Sequence, residues 1–101
     1  MLANKKTISL CIPKVKCTTT KTEIIEVFNK INIGKLEQVD LINKKSPKGE
    51  EFKIVFLHFS QWSDTINGLH AKDRILAGKD IKIVYDFPWF WKVFIKKSKN
   101  V

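Results

Sequence analysis

Two histidines, His58 and His70, and two cysteines, Cys11 and Cys17, are the side chains of this sequence best suited to bind a metal or move a proton near neutral pH. Their spacing offers little. The cysteines stand six apart with no second pair and no histidine at ligand spacing, whereas a closed zinc site takes four ligands. No glycine-rich phosphate loop, H-x-E or C-x-x-C is present. A hydrolase needs a nucleophile, a base and an orienting group within reach, and no spacing in the chain suggests one. The sequence therefore predicts no catalytic residue, no metal and no cofactor.

A second chemistry is better supplied. The chain carries 19 basic residues against 10 acidic ones, a net charge of +9, and every basic residue but Arg74 is lysine. A domain this basic attracts phosphate-rich or anionic partners, although lysine-rich surfaces also serve solubility alone. Rings and lysines are mixed most densely in DFPWFWKVFIKK, residues 86–97. Nucleobases stack on such rings at about 1–3 kcal/mol each while cations hold the backbone phosphates.

The elements that must position these groups follow from periodicity. With 101 residues the chain makes one domain, and 44% apolar residues suffice for a core. TISLCI (7–12) alternates as a half-buried strand closed by Pro13. Thr20 and Glu23 form a capping box for a helix with Ile24, Val27, Phe28 and Ile31 on one face, ended by Asn32 and Gly34. KLEQVDLI (35–42) is a second strand, NKKSPKGEE a turn-rich loop, and FKIVFLHF (52–59) a central strand that is apolar on both faces. Ser63 and Asp64 offer N-caps for a second helix, which Gly78 stops; Gly68 within it marks a close approach or a break. Residues 80–86 form a fourth strand.

This order predicts an α+β, ferredoxin-like βαββαβ sandwich: a four-stranded antiparallel sheet with two helices on one face and an aromatic C-terminal extension. The core spans about 7–86, and 87–101 is the extension. The helix-side core is read as Ile8, Leu10, Ile12, Val27, Phe28, Val39, Leu41, Val55, Leu57, Phe59, Ile81 and Ile83. The open face holds Ser9, Cys11, Gln38, Asp40, Ile54, Phe56, His58, Lys82 and Val84. This fold also hosts acylphosphatase-type enzymes, but PKVKCTTT after the first strand has no arginine to hold a phosphate.

With these spacings the chain resembles an RNA recognition motif over about residues 7–86. The family's third-strand octamer corresponds to FKIVFLHF, with Phe56 at its fifth position and Ile54 in place of the aromatic at its third. Its first-strand hexamer corresponds to ISLCIP, where Ser9 replaces the stacking aromatic. LAGKDIKIVY is similar to the family's exit from the second helix into the fourth strand. The resemblance implies the RNA-recognition fold with a degraded ring signature, and many domains of this fold that lack the rings bind proteins instead, so the resemblance alone does not imply RNA binding. GKDIKIVYDFPWFWKVF is similar to a tail of short proteins from large DNA viruses, which implies a viral protein made in the cytoplasm of a host cell.

Pro88 ends or kinks the fourth strand, so side-chain parity does not carry past it. If the tail is a strand, Trp89, Trp91, Val93 and Ile95 face one way and Phe90, Lys92 and Phe94 the other. Such a segment must pack: as a lid over the open face, as a fifth strand added to an edge, or in a dimer. The leading expectation is a binder of single-stranded RNA or DNA with low sequence preference. Bases would stack on Phe56, with Ile54 and His58 beside it and Trp89 or Trp91 as replacement rings. Lys44, Lys45, Lys48, Lys82, Lys92, Lys96 and Lys97 would hold phosphates. The alternative is a protein-interaction module whose sheet face is covered by its own tail or by a second copy. His70 is read as a solvent residue and Trp62 as core or a hydrophobic staple. The apolar run of MLANKKTISLCIPK is too short and too interrupted for a signal peptide, and no stretch nears the ~18 apolar residues of a membrane span. An intracellular setting, away from membranes, is the expectation.

Overall fold

The computed structural model describes residues 8–96. The elements run β1 (Ser9–Lys16), α1 (Lys21–Ile31), β2 (Gly34–Lys45), β3 (Glu51–Trp62), α2 (Ile66–Leu76), β4 (Ile81–Asp86) and β5 (Trp89–Ile95). The architecture is α+β and compatible with a ferredoxin-like arrangement, but the sheet has five strands where the sequence predicts four.

The strand order β2-β3-β1-β5-β4 shows where the additional strand goes. The tail is neither a lid nor an edge addition. β5 is inserted between β1 and β4, antiparallel to both, so β4 does not pair with β1. β4 pairs only with β5 and forms the outer edge, running parallel to β1 across it. Residues 89–95 are thus part of the sheet, not an appendage to a finished 7–86 core. Asp86 pairs with Trp89 across the Phe87–Pro88 turn, whose peptide is cis.

Two burial facts explain the insertion. Trp91 and Val93 are 5% and 0% exposed, so β5 brings its two best core residues under the helix layer. Trp91 stacks on Tyr85 at 4.5 Å and lies parallel to Phe28 at 6.4 Å, while Phe28 meets Phe59 edge-on at 6.2 Å. This row of rings crosses the core from β4 to β3. Burying a large apolar side chain is worth about 1.5–3 kcal/mol, and each ring pair adds about 0.5–1.5.

The rest of the core is close to the sequence reading. Leu10, Ile12, Phe28, Val39, Val55, Leu57, Phe59, Ile81 and Ile83 are buried, with Ile8, Val27 and Leu41 partly so. Val15, Ile24, Ile33, Ile75, Trp91 and Val93 join them. Val15 is inside because β1 does not stop at Pro13. The ladder to β3 shifts register between Ile12 and Val15, and this irregularity absorbs Pro13, which has no N–H to give.

Both helices are capped by threonine. In α1 the Thr20 hydroxyl accepts from the Glu23 N–H at 3.2 Å and Glu23 Oε1 accepts from the Thr20 N–H at 2.9 Å. In α2 the cap is Thr65, not Ser63 or Asp64, and its hydroxyl accepts from the Gly68 N–H at 3.2 Å. Gly68 marks a close approach: a Cβ there would meet the Ser63 carbonyl at 2.6 Å. The Trp62 indole donates to the Gly68 carbonyl at 2.7 Å, tying β3 to α2.

Candidate functional site

One face of the sheet carries no helix. Its residues are fixed by register, because directly paired positions in an antiparallel ladder share a face. Asp40 pairs with Phe56, Phe56 with Cys11, and Cys11 with Phe94, making a row from β2 to β5. Gln38, His58 and Ser9 form the next row; Ile42 and Ile54 the row on the other side. On the β4–β5 hairpin, Lys82 pairs with Lys92 and Val84 with Phe90. Phe90, Phe94 and Val84 are 41%, 37% and 51% exposed, so this face is apolar and wet at once.

Cations sit over its rings. Lys14 Nζ is 5.5 Å from the centre of Phe52, Lys96 Nζ 5.5 Å from Phe56, and Lys82 Nζ 5.3 Å from Phe90. Lys14 reaches Phe52 from the irregular stretch of β1, and Lys96 reaches Phe56 from the end of β5, where its N–H donates to the Ser9 carbonyl at 2.8 Å. At exposed sites such pairs are worth about 0.5–1 kcal/mol, so a better partner for either member displaces them readily.

A polar chain crosses the same face. His58 Nε2 lies 3.1 Å from Asp40 Oδ2, and His58 Nδ1 lies 3.0 Å from Ser9 Oγ. With Nε2–H donating to the carboxylate, Nδ1 of a neutral ring accepts from the Ser9 hydroxyl. Gln38 donates to Asp40 Oδ1 at 2.9 Å. The hydrogen bonds from Gln38 and His58 hold the Asp40 carboxyl below its ordinary range, so it is ionised at neutral pH. Ser9, His58 and Asp40 are connected as hydroxyl, imidazole and carboxylate, an arrangement that no sequence spacing suggested. On the same face, burial raises the Cys11 thiol above its usual range, opposed in part by the Lys96 charge.

The sequence-predicted residues divide accordingly. Phe56, Ile54 and His58 share the open face with Lys44, Lys82, Lys92 and Lys96. Lys45 pairs with Glu51 on the opposite parity, and Lys48 sits in the β2–β3 turn. That turn is only SPKGE, residues 46–50, because Lys44 and Lys45 belong to β2; Gly49 takes φ +93° there. Lys97 lies outside the described residues.

The two tail tryptophans do not join Phe56. Trp91 is enclosed between Tyr85 and Phe28, and Trp89, 61% exposed, shares Trp91's parity at the hairpin end. The rings that β5 brings to the open face are Phe90 and Phe94. A signal for them existed: in WFWKVFIK the lysines alternate in step with Phe90 and Phe94, and the lysine-bearing side of a strand is its wet side. Phe52 carried a signal too, sharing the parity of Ile54 and Phe56 in FKIVFLHF, whereas Lys14 had none, since Pro13 obscured the continuation of β1. His70 is exposed, and Trp62 is half-buried against Phe59 at 5.1 Å.

Among the described residues no helix is long and apolar enough to cross a membrane, and no cluster of acidic, histidine or cysteine side chains could hold a metal. Comparisons with protein families, curated proteins and solved structures find no match to this chain.

Proposed function

We propose that the open sheet face binds single-stranded nucleic acid in the manner of an RNA-recognition domain. Bases stack on Phe56 and Phe94, with Phe90 and Phe52 as outer rings. Lys14, Lys82, Lys92 and Lys96 hold the backbone, and Lys44 extends the basic strip along β2. The observation that carries the reading is the repeated pairing of a phenylalanine with a lysine on one helix-free face, at 5.3–5.5 Å in each case. A base offers each ring a larger partner, and the displaced ammonium turns to the phosphate beside it. The setting proposed is intracellular, and a viral origin goes with the tail's resemblance alone.

Anisotropy of a labelled uridine octamer tests this. Binding should weaken steeply between 50 and 200 mM salt, with a log–log slope of about −0.7 per phosphate neutralised. Phe56→Ala should cost about 1–3 kcal/mol and Phe94→Ala a similar amount. Affinity indifferent to salt, or unchanged in both variants, rules the platform out.

A protein-interaction role has one observation of its own. Ile66, Leu69 and Leu76 are 71%, 44% and 58% exposed on α2. That stripe lies on the helix side of the sheet, so occupancy of one surface leaves the other free. Its signature is a mass above that of the monomer which survives high salt.

A further inference from the structure

A carboxylate in the middle of a surface that holds phosphates needs a reason. Asp40 is the direct cross-strand partner of Phe56, so it stands beside the ring on which a base would lie. Such partners have Cβ atoms about 4.5–5.5 Å apart, and the edge of a base stacked on Phe56 passes over its neighbours. The Asp40 side chain is 43% exposed, and that of His58 31%.

The carboxylate is also aimed. Gln38 donates to Oδ1 and His58 to Oδ2, one bond to each oxygen. A carboxylate has about four lone-pair sites, so one on each oxygen remains for a ligand while the two existing bonds fix the plane. It can only accept, being ionised at neutral pH. A ligand that suits it must present two adjacent donors. Among the four bases guanine alone does so, through N1–H and the N2 amino group of its pairing edge. Uracil flanks its single N–H with carbonyls, and adenine and cytosine set one amino group beside an acceptor nitrogen.

We propose that the Phe56 position is a guanine subsite, with Asp40 accepting from N1–H and N2–H and with Gln38 and His58 as its positioning residues. This rests on the single-strand reading above and gives that surface a base preference. Phosphate repulsion by Asp40 is offset only where a guanine is bound, so the same residue disfavours the other bases.

The test is a host–guest series: a uridine octamer carrying one G, A or C at a central position, or none, measured by anisotropy at low salt. The single-G octamer should bind about tenfold more tightly than the other three, within the range that a bidentate pair discriminates. In Asp40→Asn, which presents a donor where guanine needs an acceptor, the four octamers should bind alike. Equal binding of all four by the natural protein overturns the guanine subsite and leaves the platform standing. A guanine preference that persists in D40N overturns the role of Asp40. Failure of every octamer to bind overturns both readings. Should D40N fail to fold, judged by loss of its dispersed amide spectrum, the series on the natural protein decides alone.

Discussion

At the residue scale, the polar chain on the open face is the part that sequence spacing could not reveal. Alternation puts Ser9, Gln38, Asp40 and His58 on one face, because side chains in a strand have period two. It does not say which residue of β1 meets which of β3, and that register brings Ser9 to His58 across 49 positions. The resemblance to an RNA recognition motif likewise drew attention to Ser9 as a lost ring, whereas the direct neighbour of Phe56 on β1 is Cys11. The Asp40 carboxyl supplies a prediction. Its folded value is depressed, first by Gln38 and then by His58, so these bonds favour the native state above the ordinary aspartate range. The contribution disappears as pH falls through the lowered value. Gln38→Ala should therefore move the Asp40 titration, followed by its side-chain carbon resonance, up towards the ordinary range. An unmoved titration means that the Gln38 bond does not form in solution.

At the element scale, the informative case is β5. Its existence and parity are legible in WFWKVFI, and its place in the sheet is not. Two strands compete for the slot beside β1. β4 offers Ile81 and Ile83 to the core; β5 offers Trp91, Val93 and Ile95. Local alternation describes both equally well, and what separates them is tertiary: Trp91 fits between Tyr85 and Phe28, completing the row of rings to Phe59. The strand that fills this volume goes inside, and the other becomes the edge. Trp91→Ala should accordingly cost about 3–5 kcal/mol in urea unfolding, the usual price of emptying a large aromatic site. Trp89→Ala, at an exposed position, should stay within about 0.5 kcal/mol. Equal costs at the two positions would show that β5 does not occupy the slot beside β1. The same contrast explains why tryptophan, the obvious candidate for stacking in a sequence, is the wrong ring here, and why the smaller Phe90 and Phe94 reach the surface.

At the scale of the whole molecule, net charge and placed charge make different demands. A charge of +9 attracts any polyanion from a distance, speeding association without choosing an orientation. A platform needs the cations on one face. The structure allows the two to be separated, because Lys96 lies over Phe56 on the open face while Lys30 lies exposed in the last turn of α1. Lys96→Glu and Lys30→Glu lower the net charge by the same amount. If attraction is general, both should weaken the uridine octamer alike and mainly through the association rate. If the face is the site, Lys96→Glu should also speed dissociation and flatten the salt slope by about one phosphate's share, and Lys30→Glu should do neither. Stopped-flow association and dissociation at two salt concentrations separate these outcomes. A Lys30→Glu protein whose octamer dissociates as fast as that of Lys96→Glu would overturn the placement of the site on the open face.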